Sequence, residues 1–60
     1  MMLRVLVIED ESRILSFLAN ALAADGFAVD GADNGQDGLE RALRGLYDLV
    51  ILDLLLPRLD

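Results

Sequence analysis

The sequence has no cysteine and no histidine among its 60 residues. Their absence excludes disulfide bonds, thiolate chemistry, zinc sites of the usual ligand set and histidine acid–base catalysis. Basic side chains are also scarce, five against eleven acidic ones, which leaves a formal net charge of −6. A chain of this charge repels nucleic acid phosphates and anionic lipid head groups, so we expect it to bind neither nucleic acid nor membranes directly. Carboxylates and oxygen-binding cations remain as the available chemistry.

Hydrophobic residues, in contrast, make up 55% of the chain. This fraction is too high for a disordered tail, and the length suffices for one small domain at most. The first apolar run, residues 3–8, is too short for a signal sequence or a membrane span and is followed at once by acids. We therefore expect a single α/β unit located in the cytoplasm.

The first half of the chain predicts a strand followed by a helix. Residues 3–8 are short, branched and almost wholly apolar, which is typical of a strand covered on both faces. Apolar side chains then recur at helical spacing over residues 12–25, with Ser12 as the expected N-cap and Gly26 as the C-terminal stop. Phe17 is expected in the core or at its rim.

The second half repeats this pattern and adds a third strand. A weaker strand over residues 27–32 is interrupted by polar and glycine residues and suits an edge position. The next helix, residues 35–45, should be capped by Asn34 and end near Gly45, and the third strand should cover residues 48–52. Further expectations are an apolar helix face (Leu39, Ala42, Leu43, Leu46), a Glu40–Arg44 ion pair, solvated Arg41 and Arg44, and core or rim positions for Phe27 and Tyr47.

Strands that alternate with helices predict right-handed crossovers and a parallel sheet. In such a sheet, functional sites form beyond the carboxyl ends of the strands. Glu9 and Asp10 directly follow the first strand, and Asp53 directly follows the third. Three carboxylates at one edge repel one another, so a divalent cation, a proton or phosphoryl chemistry is needed to account for them, and Mg²⁺ prefers such oxygen ligands.

Each acidic group also has an ordinary structural explanation. Acids before a helix stabilise its amino terminus electrostatically, and aspartate often begins a loop after a strand. Taken alone, Glu9 and Asp10 fit the first explanation and Asp53 fits the second. Only their expected convergence favours a functional site over these structural roles.

Three segments together resemble the receiver domain of two-component response regulators. They are VLVIEDE at residues 5–11, ADNGQDGL at 32–39 and YDLVILDLLLP at 47–57. The acidic pair, the aspartate after the third strand and Pro57 four positions later form the most specific part of the resemblance. The run Leu54 to Leu56 departs from the more mixed loop of the family, and we expect it to serve in packing.

The resemblance implies a role for each acidic residue. Asp53 would be the phosphoacceptor nucleophile that takes a phosphoryl group from the phosphohistidine of a sensor histidine kinase. Glu9, Asp10 and Asp53, together with the backbone carbonyl of Leu55, would bind Mg²⁺. Such a domain is a signalling phosphoacceptor that regulates an output such as transcription, and at most catalyses its own phosphorylation and dephosphorylation.

The resemblance also implies a flavodoxin-like, doubly wound parallel sheet of which residues 1–60 would form the amino-terminal βαβαβ part. The family's later hydroxyl and lysine residues fall outside these sixty residues, so we expect no switching by the chain alone. The parent most resembles regulators with a winged-helix output domain.

Two alternatives stay open. An uncovered third strand is a template for pairing, so the chain could instead be a truncated, signalling-incompetent module that associates with itself. A hydrolase with an aspartyl nucleophile would also place Asp53 after a parallel strand and use Mg²⁺. Those enzymes carry a second aspartate two positions later, where this chain has Leu55, which makes this alternative the weaker one.

Overall fold

The computed structural model describes residues 2–52, and predictions for Asp53 to Asp60 lie outside this range. The described chain forms a βαβαβ unit, which confirms the predicted α/β class and element order. Its elements are β1 (Arg4–Ile8), α1 (Ser12–Ala24), β2 (Ala28–Ala32), α2 (Gly35–Leu43) and β3 (Leu49–Leu52).

The three strands are parallel and lie in the order β2-β1-β3. The last residue of β1, Ile8, lies beside Ala32 of β2 on one side and Leu52 of β3 on the other. The carboxyl ends of all three strands are therefore level with one another. Within residues 2–52, β2 has β1 as its one neighbour, which confirms its predicted edge position.

The two helices cover opposite faces of the sheet. Leu15 of α1 lies against Gly31, whereas Gly38 of α2 lies against Ile8. Gly31 is paired with Val7 and therefore lies on the other face from Ile8, because successive residues of a strand face opposite sides. This arrangement buries β1 from both sides, with Val5 to Ile8 between 0% and 7% exposed, as the unbroken apolar run predicted.

Helix α1 begins differently from the prediction and ends as predicted. Ser12 is its first helical residue, and the N-cap position falls on Glu11, whose side chain makes no capping hydrogen bond. The helix starts one residue early because the carbonyl of Glu11 already accepts the N–H of Leu15 at 2.9 Å. At the other end, Gly26 has a φ of 97°, and the N–H of Phe27 returns to the carbonyl of Leu22 at 3.2 Å, a Schellman motif that glycine favours.

The ends of α2 follow local sequence signals. The Asn34 side chain accepts the N–H of Asp37 at 2.8 Å, which confirms the predicted N-cap. The helix ends at Leu43, and Gly45 follows with a φ of 72°. The expected pair of Glu40 and Arg44 is wrong, since the ion pair on this helix joins Asp37 to Arg41 at 3.4 Å.

Large apolar side chains lie on the surface of the part that the structure describes. On α2, Ala42 packs against the core, but Leu39, Leu43 and the following Leu46 are 59%, 77% and 56% exposed. The helix approaches the sheet through its small residues, which turns the leucines away from it. Phe17 is 71% exposed, so its predicted place in the core or rim is wrong, whereas Tyr47 packs at the edge of the core.

Candidate functional site

The carboxyl end of β1 holds a buried acid. Glu9 directly follows Ile8 and is only 1% exposed. Its N–H donates to the carbonyl of Ala32 at 3.0 Å, which extends the sheet by one hydrogen bond beyond β1. Its Oε1 accepts the N–H of Glu11 at 3.2 Å. Backbone and side chain are therefore both held in place at the point where the chain leaves the sheet.

Asp10 differs from its neighbour because its side chain faces solvent. It forms no ion pair with a basic side chain within residues 2–52. Two residues later α1 begins, so both acids lie close to the amino terminus of a 13-residue helix. The positive end of that helix favours negative charge, and the ordinary structural explanation of these acids therefore stays available.

The third predicted carboxylate, Asp53, lies outside the described residues, as does Leu55 with its predicted carbonyl ligand. What the described backbone shows is that β1 and β3 are adjacent and parallel, with Ile8 beside Leu52. Each of these two residues is followed in the sequence by an acid. The assignment of Glu9, Asp10, Asp53 and Leu55 to one site stays a prediction.

The donor atoms near β1 suit a hard cation. Within residues 2–52, no group of three acidic, histidine or cysteine side chains could hold a metal ion. The described part contributes two carboxylates at successive positions, Glu9 and Asp10, and carboxylate oxygens are the ligands that Mg²⁺ prefers. The available residues thus fit Mg²⁺ in chemical type, with further ligands to be supplied from beyond residue 52.

A second polar cluster lies toward the opposite, amino-terminal end of the sheet and was not predicted from the sequence. The Tyr47 hydroxyl donates to Asp30 Oδ2 at 2.6 Å, and Arg4 Nη2 lies 3.7 Å from the same oxygen. The Arg4 N–H donates to Asp48 Oδ2 at 2.8 Å, while the Asp48 N–H donates back to the Arg4 carbonyl, also at 2.8 Å. We call these four residues the amino-end cluster.

The amino-end cluster raises the pKa of the Tyr47 phenol above its ordinary value. The largest cause is the hydrogen bond that the hydroxyl donates to Asp30, followed by partial burial and the negative charge of that carboxylate. Arg41 opposes the shift to a smaller extent. The isolated arginine in an otherwise apolar strand is a sequence signal that could have indicated this cluster, although it does not identify the partners.

Comparison with known proteins decides which family these features represent. The family model of the response regulator receiver domain matches residues 5–60. The chain belongs to this family. Receiver domains are signalling modules of two-component systems; they receive a phosphoryl group from histidine kinases and generally use Mg²⁺. The match also favours the receiver over the hydrolase alternative.

Curated relatives of this receiver are named as regulators. The chain is 52% identical over 56 residues to the transcriptional regulatory protein DltR of Streptococcus agalactiae, covering 93% of the chain and 25% of the relative. It is 46% identical over 59 residues to the transcriptional regulatory protein PcoR of Escherichia coli, covering 98% of the chain and 26% of the relative. The response regulator ArlR of Staphylococcus aureus is 44% identical over 59 residues, with 98% and 27% covered.

The receiver sequence thus spans about a quarter of the length of these relatives. No solved structure gives a significant match. Neither helix within residues 2–52 has the length and apolar character needed to cross a membrane.

Proposed function

We propose that the chain is the phosphoacceptor part of a receiver domain and that Asp53 is its nucleophile. A carboxylate oxygen of Asp53 would form a bond to phosphorus while the bond from phosphorus to the kinase histidine nitrogen breaks, and the histidine keeps the electron pair. The observation that carries the proposal is the level, parallel pairing of Ile8 with Leu52. It supports a common site because the sequence continues from both residues into acids.

In this proposal Glu9, Asp10, Asp53 and the Leu55 carbonyl hold Mg²⁺. When bound, the cation neutralises charge on the transferring phosphoryl oxygens. Glu9 is suited to hold it because its backbone is tied to β2 and its side chain is buried at 1% exposure. Exposed Asp10 would supply the more accessible carboxylate.

The names of the relatives support a role in regulating transcription, by way of an output domain of the winged-helix type. Such regulation would take place where the DNA is, which is why we propose a cytoplasmic location. The negative charge of −6 supports assigning DNA contact to an output domain and not to this segment.

The decisive experiment compares the wild type with Asp53→Asn. With Mg²⁺ and a small-molecule phosphodonor, intact mass should show one added phosphoryl group on the wild type and none on the variant. Asp25→Asn is the matched control, since it makes the same chemical change in an exposed carboxylate at the far end of α1, and it should be phosphorylated like the wild type. Equal phosphorylation of Asp53→Asn and the wild type would exclude Asp53 as the acceptor.

A second candidate function is self-association through β3. Within residues 2–52 this strand has one neighbour, β1, and its Leu49, Val50 and Leu52 are 52%, 41% and 53% exposed. An exposed apolar edge strand is a template for pairing with another chain. Size-exclusion chromatography with light scattering should show a mass that rises with concentration, whereas a stable monomer at high concentration contradicts this function. Phosphorylation and self-association can both hold.

A further inference from the structure

Helix α2 approaches the sheet tightly at Gly38, over the last residue of β1. Gly38 is buried. A Cβ atom placed on it would lie 2.5 Å from Cδ1, 2.6 Å from Cγ1 and 2.9 Å from Cγ2 of Ile8. Carbon atoms in contact prefer about 3.5–4.0 Å, so any side chain at this position would push the helix and Ile8 apart.

Rotation of Ile8 about χ2 moves Cδ1 away but leaves both γ carbons in place. Both of its γ carbons are bonded to Cβ and both would be struck, and a β-branched side chain is stiff about χ1. Ile8 is also 7% exposed and paired on both sides, with Ala32 and with Leu52. A push on Ile8 must therefore move either α2 or the backbone at the end of β1.

When the backbone at the end of β1 moves, the residue that the movement reaches first is Glu9. It is bonded directly to Ile8, and its N–H···O contact with Ala32 is the last hydrogen bond before the chain leaves the sheet. The neighbour of Ile8 on the other side, Leu52, precedes Asp53 in the sequence. Ile8 thus ends one of the two segments that carry the proposed site and lies beside the end of the other.

We propose that Gly38 is a positioning residue: its missing side chain seats α2 directly on Ile8, and this contact holds Glu9 where it can bind the cation. The inference rests on the proposed function and deepens it, because it assigns a role in cation binding to a residue that has no side chain with which to bind one. A Cβ atom placed on Gly35, in the same helix, would meet no atom of another element within 4 Å in the part of the chain that the structure describes, so the role belongs to Gly38 specifically.

The test compares Gly38→Ala with two control variants. Gly35→Ala makes the same change in the same helix without a contact, and Gly31→Ala creates a tight contact, 3.0 Å from Leu15 Cδ1, on the opposite face of the sheet. Three quantities are measured for each: the amide chemical shifts of Glu9 and Asp10 without metal, the urea midpoint, and the dissociation constant for Mg²⁺ alone.

Gly38→Ala should shift the Glu9 amide signal in the metal-free protein and weaken Mg²⁺ binding about tenfold, the lower range seen when a residue supporting a metal ligand is changed. Gly35→Ala should change neither quantity. Gly31→Ala should lower the urea midpoint while leaving Mg²⁺ affinity at the wild-type value, which separates positioning from a general loss of stability.

A double variant tests whether the effect of Gly38→Ala on Mg²⁺ affinity depends on its contact with Ile8. Ile8→Ala removes all three atoms that a Cβ on residue 38 would strike, so adding Gly38→Ala to Ile8→Ala should cause no further loss of Mg²⁺ affinity. If Gly38→Ala does not fold, Ile8→Val tests the same contact without a clash, and it should shift the Glu9 amide and weaken Mg²⁺ binding by less than tenfold.

Failure of the inference and failure of the proposed function give different results. A wild type that binds Mg²⁺, with Gly38→Ala or Ile8→Val binding it equally well, overturns the positioning role alone. A wild type with no affinity for Mg²⁺ overturns the proposed function and the cation role of Gly38 with it. An unshifted Glu9 amide in Gly38→Ala overturns the positioning role whether or not Mg²⁺ binds.

Discussion

Both ends of the sheet carry acidic side chains, but the partners of these side chains differ between the two ends. At the amino end, Asp30 accepts a hydrogen bond from Tyr47 and lies 3.7 Å from the Arg4 guanidinium, and Asp48 accepts the Arg4 N–H. At the carboxyl end, exposed Asp10 has no ion pair within residues 2–52. The acids of the amino end thus have donors from within the fold.

This difference between the acids indicates a separate role for each end of the sheet. Acids that find donors in the same domain contribute to its stability, because their charge is compensated when the chain folds. Acids kept together without a basic side chain repel one another and cost stability unless a ligand compensates them. Asp10, which directly follows another acid and forms no ion pair within residues 2–52, fits the second description and supports the proposed cation site.

Substituting one acid at each end of the sheet should have its largest effect on Mg²⁺ binding. Asp10→Asn should weaken the affinity at least about tenfold, since changing even a residue that only supports a ligand costs about that much. Asp30→Asn, the same change at the amino end, should leave the affinity unchanged. Isothermal titration calorimetry with Mg²⁺ measures both. Equal losses for the two variants would mean that the chain's overall charge, and not a site at the carboxyl end, attracts the cation.

Local signals in the sequence predicted much of the fold. Gly26 and Gly45 both adopt positive φ beyond a helix end, and Asn34 caps α2, because these roles depend on only a few neighbouring residues. The apolar run of β1 predicted that this strand is buried on both faces. Its position between β2 and β3 agrees with that prediction. The position of Glu9 at the end of β1 could be predicted for the same reason.

Contacts between distant residues could not be predicted in this way. Tyr47 and Asp30 are 17 positions apart, and nothing in either neighbourhood indicates the other. The apolar spacing of α2 predicted a leucine face toward the sheet, but close packing of Gly38 on Ile8 sets the helix orientation and leaves Leu43 exposed. Periodicity gives the faces of a helix; packing decides which face is buried.

A moderate effect is expected at the amino end itself. Asp48→Ala removes the acceptor of the Arg4 N–H and should lower the free energy of unfolding by about 1 kcal/mol, the typical net value of one hydrogen bond. Asp48→Asn keeps an acceptor oxygen at the same place and should recover most of this loss. Urea denaturation measures both variants. A full loss in Asp48→Asn would show that charge, and not the hydrogen bond, stabilises this end, while Mg²⁺ affinity should stay unchanged in either case.

The smallest effect concerns alkaline pH and Tyr47. Its pKa is raised in the folded chain, first by the hydrogen bond to Asp30. As pH rises past the ordinary phenol pKa of about 10, the unfolded chain loses this proton before the folded chain does, so the folded state binds more protons and its stability falls with pH. Below that pH the contribution of the Tyr47 proton is fully present.

Tyr47→Phe should therefore be less stable than the wild type at neutral pH. It should also lose less stability than the wild type between pH 9 and pH 11, a range that spans about one unit either side of the phenol pKa. Urea midpoints across this range measure the difference. Parallel curves for the two proteins would mean that the Tyr47 hydroxyl does not couple its proton to folding, and the amino end would then owe its stability to Arg4 and Asp48 alone.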